Sequence, residues 1–316
     1  MTDVSDRHFK TSRTSDTPQT NGVSPVPETL SFEDASAKFQ ESLQAKNRSP
    51  LTVRAYATDL AQFFSWLRAN NMVATTPDRI ERADIIEYLS SLGQRQLSGV
   101  TRARKLAAVR EFFRFLENND YIRKSPAQSV EAPKKEKNTR VYLRPDEYHS
   151  MLAQAGSNPR DYAILQLFLQ TGIRVSELCD LSLVDIDFAG RTVKVRGKGM
   201  VERNIEMERK GLEAIKNYLA TRLPTVEDRI FLNKDGTPLG QRGVRKMVRK
   251  YRLLAGITKR ASPHSLRHTF ATYKAERGVS PFQLQQWLGH ANINTTQIYV
   301  HMSRQNAKKV MEATSL

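Results

Sequence analysis

An arginine and a glutamate one helical turn apart mark a place where a phosphate group would be gripped. Arg174 follows the helix-breaking Gly172 and opens the next predicted helix, with Glu177 at i+3. A carboxylate at that spacing holds the guanidinium, whose planar fork matches the oxygens of a phosphate. Taken alone, the pair is more typical of an ordinary ion pair on a helix surface.

A second segment, Ser262 to His268, adds another arginine and a group that can move protons. Ser262 caps a helix that Pro263 begins, which puts His264 and Arg267 one turn apart on the same face. Arg267 would supply a second fork for a phosphate, and His264 would donate or accept a proton. His264 and His268 have the i, i+4 spacing of metal ligands, but no further ligand pattern accompanies them. A packing or surface role is therefore favoured for His268.

A tyrosine near the C-terminus is a candidate nucleophile. A predicted helix ends at Gly289, a suitable residue just beyond a helix C-terminus, and His290 follows in the turn. Asn294 or Thr295 can cap the next short helix, which carries Tyr299. A tyrosine hydroxyl can form a covalent intermediate, although a single tyrosine in an apolar helix is more often part of the core.

A small antiparallel sheet is predicted between the first two of these segments. Three short runs alternate between apolar and polar residues, with glycine-containing turns between them, as in consecutive hairpins. The predicted strands are Val184–Asp187, Thr192–Val195 and Arg203–Met207. Lys198 lies in the second turn, between two glycines.

The remaining elements are predicted to be helices. Apolar residues at helical spacing indicate four helices in the first half, without a strand signal, and these would form a small bundle. Two more helices, from Pro145 to Ala155 and from Asp161 to Gln170, precede the sheet, and helices resume after it. The predicted fold is therefore mainly α, with an N-terminal helical bundle and an α+β second domain that carries a small antiparallel sheet.

Composition shifts divide the chain into four predicted segments. These are a disordered tail at 1–29, a helical domain at 30–122, a basic linker at 123–141 and the mixed domain at 142–316. The linker contains the run from Lys134 to Lys137. Such a run is usually solvated surface, but it could also lie along a DNA backbone, and both interpretations remain open.

The bulk composition indicates a polyanionic partner and a reducing compartment. Fifty Lys and Arg against 33 Asp and Glu give a net charge of +17. This excess favours nucleic acid over an acidic membrane surface or an RNA scaffold. Cys179 is the single cysteine, which excludes an intramolecular disulfide and a cysteine-rich zinc site. Because no apolar stretch could span a bilayer and no signal peptide is evident, we expect a cytoplasmic protein.

Two basic helix faces are candidates for contact with DNA. In the predicted helix from Gln241 to Leu254, arginines follow one face at i, i+3, i+7 and i+10, namely Arg242, Arg245, Arg249 and Arg252. In the fourth helix of the first half, Arg102 and Lys105 lie beside the apolar face. Some of these side chains could reach guanine edges, although a solvated face is the alternative.

The candidate catalytic residues also occur in a characteristic order along the chain. Arg174, Lys198, His264, Arg267, His290 and Tyr299 follow one another in Gly-Ile-Arg, Gly-Lys-Gly and Leu-Gly-His contexts. This pattern resembles the tyrosine recombinase (phage integrase) family, and most closely its bacterial Xer-type members. The resemblance covers residues 31–316, including a helical, SAM-like core-binding domain, and is strongest in Ser262–Arg267 and Leu288–Tyr299.

The resemblance implies a role for each of these residues. Arg174 and Arg267 would clamp the scissile phosphate of the DNA, His290 would hydrogen-bond it, and Glu177 would hold Arg174. Lys198 would protonate the leaving 5′ oxygen, and His264 would assist proton transfer to and from the nucleophile. Tyr299 would attack phosphorus and form a 3′-phosphotyrosine.

The resemblance also implies what the enzyme needs and how it assembles. No metal, ATP or other cofactor is expected. The partner is double-stranded DNA at a specific site in a bacterial cytoplasm, and a homo-tetramer, or a hetero-tetramer with a related recombinase, would exchange strands through a Holliday junction. Chromosome dimer resolution and mobile-element integration or excision use the same residues. A DNA-binding protein that keeps the fold without cutting and a type IB topoisomerase are the competing hypotheses.

Overall fold

The computed structural model describes residues 30–70, 76–134, 141–197, 202–222 and 224–289. The chain forms two compact units, with the division between Asn138 and Thr139. None of the described helices is long and apolar enough to cross a membrane.

The first unit is a helical bundle, as predicted. Its helices are α1 (Phe32–Ala45), α2 (Pro50–Ala69), α3 (Arg82–Gln94) and α4 (Gly99–Asn118). A serine before three of these helices accepts a hydrogen bond from a backbone N–H that the helix start would leave unpaired; these are Ser31, Ser49 and Ser98. The core is aromatic, and Phe39 meets Phe112 edge-on with ring centroids 5.7 Å apart.

The second unit combines helices with one small sheet. Its described helices are α5 (Pro145–Ala155), α6 (Pro159–Thr171), α7 (Val175–Asp180), α8 (Arg209–Thr221), α9 (Gln241–Leu254), α10 (Pro263–Glu276) and α11 (Pro281–Leu288). The strands are β1 (Ile186–Asp187), β2 (Thr192–Arg196) and β3 (Glu202–Glu206), paired antiparallel in that order. The predicted fold class, a helical bundle followed by an α+β domain, is confirmed.

The first predicted strand is wrong at its beginning. Leu183–Asp185 is a turn of 3-10 helix, in which the Asp185 carboxylate accepts hydrogen bonds from the backbone N–H of Ser182 at 2.9 Å and from its hydroxyl at 3.0 Å. This local bonding competes with strand formation. Val184, which the alternation placed in the strand, is 85% exposed.

Helix α6 is largely buried in the second unit and leads directly into the segment that contains Arg174. Its apolar side chains from Ala163 to Phe168 are fully buried, and it packs against α8 and α10. It ends at Gly172, where φ is +60° and a Cβ would come within 2.5 Å of the Phe270 ring. Glycine alone tolerates both the left-handed backbone and the close contact. The chain therefore turns sharply here and brings Arg174 to the start of α7.

Candidate active site

Arg267 joins the end of α6 to the end of α11. It lies on α10 and is only 7% exposed. Its Nη1 donates to the carbonyl of Gly172 at 2.7 Å, and its Nη2 donates to the carbonyl of Leu288 at 2.6 Å. The prediction that Arg267 shares a site with the segment that contains Arg174 is consistent with this geometry.

Arg174 also binds the C-terminal end of α11. Its side chain is 32% exposed, and its Nη2 donates to the carbonyl of Gly289 at 2.7 Å. Glu177 holds it as the spacing predicted, since Oε1 accepts from Arg174 Nη1 at 2.8 Å and Oε2 accepts from the Arg174 backbone N–H at 2.8 Å. The pair is thus part of a hydrogen-bonded cluster at the end of α11 and not an isolated surface ion pair.

Glu177 has a second cationic partner that the sequence reasoning missed. Arg203 on β3 donates from Nη1 and Nη2 to the two carboxylate oxygens of Glu177 at 2.9 and 2.8 Å. Burial raises the pKa of Glu177, but hydrogen bonds and charge from Arg203 and Arg174 outweigh it, so that its pKa is lowered overall. The sequence did contain a signal for such a partner. Residues two apart in a strand lie on the same face, so Arg203 lies on the inward face with Ile205, and a charged side chain there requires a partner of opposite charge.

Three guanidinium groups converge on the C-terminus of α11. The carbonyls of Trp287, Leu288 and Gly289 accept hydrogen bonds, respectively, from Arg203, Arg267 and Arg174. The last carbonyls of a helix lack partners within it and carry partial negative charge, so cations stabilise them. The backbone turns at Gly289, where φ is +61°, as predicted for the residue after this helix. The chain that continues to His290 thus begins at a point fixed by three arginines.

His264 lies close enough to three arginines for their positive charges to act on it. It lies in the first turn of α10, and loss of hydration, followed by the positive charges of Arg267, Arg174 and Arg245, lowers its pKa below the usual value for histidine. A lowered pKa favours the neutral imidazole. His264 is therefore suited to accept a proton at neutral pH.

Replacing Arg245 by glutamine is expected to raise the pKa of His264, because one of the three charges that oppose imidazole protonation is removed. NMR titration of labelled histidines in the free protein, with the His264→Gln variant to assign the signal, measures this shift. Arg249→Gln is the matched control, since Arg249 is exposed on the same helix and should leave the titration unchanged. Equal titration curves in the wild type and Arg245→Gln would contradict the arrangement.

The arginine face of α9 is exposed at three of its four predicted positions. Arg242, Arg245 and Arg249 are exposed, whereas Arg252 is half-buried. Arg252 Nη1 donates to two carbonyls of the turn that follows α9, at 3.5 and 3.0 Å. Arg252 thus closes this turn, and contact with DNA remains a prediction mainly for the other three.

The structure contradicts the predicted DNA contact of Lys105. Its side chain is buried, and its ammonium donates to Oδ1 of the buried Asp59 at 3.0 Å. Lys105 lies on the same face of α4 as Val109 and Phe112, at i+4 and i+7, so that it points into the bundle, where the carboxylate balances its charge. Arg102 is partly exposed, and its DNA contact remains a prediction.

Three predicted catalytic residues, Lys198, His290 and Tyr299, lie outside the described residues. Their proposed roles therefore stay predictions, and only their positions along the chain can be given. Lys198 comes two residues after the end of β2, His290 directly follows Gly289, and Tyr299 comes ten residues after Gly289.

Both units match parts of one protein family. Residues 141–306 match the phage integrase family, and residues 37–119 match the N-terminal SAM-like domain of phage integrases. Tyrosine recombinase XerC of Thermodesulfovibrio yellowstonii is 36% identical over 279 residues, which cover 84% of this chain and 91% of the relative. The crystal structure of XerA recombinase is 28% identical, with a TM-score of 0.51, covering 89% of this chain and 98% of that one. XerH recombinase in a post-cleavage complex with its difH substrate shares the fold at 23% identity, with a TM-score of 0.70 over 90% of this chain and 85% of that one.

Proposed function

The chain belongs to the phage integrase family and is a site-specific tyrosine recombinase, and we propose that it cleaves DNA with Tyr299 at a site organised by Arg174 and Arg267. One observation carries the assignment of residues. Guanidinium groups from two separate helices converge on the end of α11, and Tyr299 follows ten residues later. The phosphate-binding groups and the nucleophile are thereby connected through one short stretch of chain.

The two arginines stabilise the charge that builds up on the phosphate. As the phosphorus is attacked, negative charge develops on its non-bridging oxygens, and preorganised cationic donors lower the energy of that state. A guanidinium has five N–H donors, so the same group can serve the helix carbonyls and a phosphate. Glu177 keeps Arg174 oriented through its two bonds to that residue. His290 adds a further hydrogen bond to the phosphate.

Proton transfers accompany each bond change. The Tyr299 hydroxyl oxygen attacks phosphorus and passes its proton to the neutral His264, while the bond from phosphorus to the 5′ oxygen breaks. Lys198 gives its proton to the departing 5′ oxygen. The 3′-phosphotyrosine conserves the energy of the phosphodiester bond, so the reverse sequence rejoins a DNA end without ATP.

Each domain has its own role in the proposed reaction. Residues 30–122 form the core-binding domain that holds DNA, residues 142–316 form the catalytic domain, and the basic segment 123–141 links them. Four copies on two DNA sites, identical or shared with a related recombinase, exchange strands through a Holliday junction. The exposed arginines of α9 support DNA contact beside the catalytic residues.

Replacing Arg249 by alanine is expected to weaken DNA binding equally for specific and unrelated duplexes, because an exposed arginine mainly contacts phosphate. The slope of log K against log salt should become shallower by about 0.9 for one lost phosphate contact. Fluorescence anisotropy between 50 and 300 mM salt measures both quantities. Lys105→Met serves as the comparison, since the buried Lys105 should leave the slope unchanged. An unaltered slope in Arg249→Ala would place this side chain away from the DNA.

Covalent trapping tests the proposed function as a whole. A duplex with a nick next to the cleavage point loses a short fragment after attack, which prevents rejoining and accumulates the protein–DNA adduct. We expect an adduct that forms in EDTA, and whose DNA-bearing peptide contains Tyr299. Absence of any adduct would support a DNA-binding protein that does not cut. Relaxation of a plasmid that lacks the recognised site would support a topoisomerase instead.

A further inference from the structure

Arg203 lies next to Arg174, and its guanidinium is bonded to groups of the protein. It lies on β3, five residues after Lys198, and its side chain is 11% exposed. Each of its three guanidinium nitrogens donates to a group of the protein. Nη1 and Nη2 bind the carboxylate of Glu177 at 2.9 and 2.8 Å, and Nε binds the carbonyl of Trp287 at 2.8 Å.

Each oxygen of Glu177 is shared between the two arginines. Oε1 accepts from the Nη1 atoms of Arg174 and Arg203, at 2.8 and 2.9 Å. Oε2 accepts from the Arg174 backbone N–H and from Arg203 Nη2, both at 2.8 Å. The carboxylate is buried, with 4% of its side chain exposed. Removing one partner of a buried ion pair leaves an uncompensated charge and is strongly unfavourable, so Arg203 stabilises the carboxylate that also binds Arg174.

The second contact of Arg203 acts on the chain that leads to the nucleophile. Its bond to Trp287 lies two residues before Gly289, where Arg174 also binds. A Cβ at Gly289 would come within 3.0 Å of Arg203 Nη1, so the arginine also packs directly against the turn. One side chain thus joins β3 to Glu177 and to the C-terminal end of α11.

We propose that Arg203 is a positioning residue for DNA cleavage, which holds Arg174 and the C-terminal end of α11 in the arrangement that cleavage requires, through Glu177 and the Trp287 carbonyl. The proposal rests on the proposed function. It differs from a role in stability alone, because the groups that Arg203 binds belong to the two parts that must approach the same phosphorus atom. A displacement of about 1 Å in such parts lowers a reaction rate by about 10²-fold.

The test compares Arg203→Lys with wild type in single-turnover cleavage of the nicked duplex at saturating protein. A lysine keeps the charge but presents one compact donor group, which cannot reproduce the fork on Glu177 together with the bond to Trp287. We expect cleavage slower by about 10- to 100-fold, with the Kd for DNA within about twofold of wild type. Arg160→Lys is the matched control, because Arg160 also joins a buried carboxylate, that of Asp161, to a backbone carbonyl, that of Leu232.

A substrate with sulfur in place of the 5′ bridging oxygen distinguishes a defect in protonation of the leaving group from a defect in alignment of the attacking groups. Thiolate leaves without a proton donor, so this substrate should restore cleavage by Lys198→Ala. We expect it not to restore cleavage by Arg203→Lys, since Arg174 and Tyr299 would remain misaligned. Full restoration would overturn the proposal and assign Arg203 to the lysine hairpin alone.

Three further outcomes would also overturn the proposal. These are a cleavage rate for Arg203→Lys within twofold of wild type, a loss confined to the Kd, and an equal loss in Arg160→Lys. Thermal unfolding of both variants identifies the temperature at which each is folded, and the rates are compared there. Failure of wild type to form a Tyr299 adduct would instead refute the proposed function, and the two failures are therefore distinguishable.

Discussion

Replacing Tyr299 by phenylalanine is expected to abolish the covalent protein–DNA adduct and recombination. The variant lacks only the hydroxyl oxygen that forms the bond to phosphorus. Loss of the nucleophile from a covalent catalyst lowers its rate by a factor on the order of 10⁶, which brings the adduct below detection in a gel assay. DNA affinity should stay close to the wild-type value, because the phosphate-binding arginines are unchanged.

Tyr273→Phe is the matched control for this loss. Tyr273 lies on α10 of the same unit, is half-buried, and meets Tyr148 edge-on with ring centroids 6.2 Å apart. Removing its hydroxyl should leave adduct formation within about twofold of wild type, as expected for a change away from reacting groups. An undiminished adduct in Tyr299→Phe would show that another residue is the nucleophile. An equal loss in both variants would point to a general effect on the fold.

Helix boundaries were predictable because their determinants are local. Serine before proline marks the starts of α2, α10 and α11, where the serine side chain caps and the proline fits the first turn. The α9 boundaries at Gln241 and Leu254 agree with the prediction, since its apolar and basic faces keep one period throughout. The strand prediction at Val184 failed because period-two alternation does not register that a nearby aspartate can close a turn.

Local spacing alone predicted contacts among the site residues only where those residues are close in sequence. The bond between Arg174 and Glu177 follows from i, i+3 spacing, and the turn at Gly289 follows from its place after an apolar helix. The bonds of Arg203 span 26 residues to Glu177 and 84 to Trp287, and no local pattern reports such a pairing. Lys105 was expected beside the apolar face of α4 and was assigned to DNA because of its positive charge. It is instead buried against Asp59, which lies 46 residues away in the sequence, so that no local pattern reports the pair.

Arg267→Lys is expected to lower the rate of DNA cleavage by about 10²–10³-fold, the usual cost of losing one preorganised donor to a developing oxyanion. Lysine keeps the positive charge, but its ammonium is a compact point that cannot donate in two fixed directions. In the structure those directions are occupied by the carbonyls of Gly172 and Leu288, at 2.7 and 2.6 Å. The substitution therefore also leaves a buried carbonyl without its donor, which costs about 1–3 kcal/mol in the free energy of unfolding.

The loss of cleavage rate and the loss of folding stability can be separated, because a lysine at Arg160 should cause the loss of stability alone. Arg160 binds the carbonyl of Leu232 at 2.8 Å and the buried Asp161 in the same unit. Arg160→Lys should lower the free energy of unfolding, measured in urea, by a similar amount and leave single-turnover cleavage near the wild-type rate. If Arg267→Lys loses stability but cleaves normally, the guanidinium serves only to hold the ends of α6 and α11 together. A loss of cleavage far beyond that of Arg160→Lys would instead assign the Arg267 fork to the phosphate, because equal destabilisation cannot account for unequal chemistry.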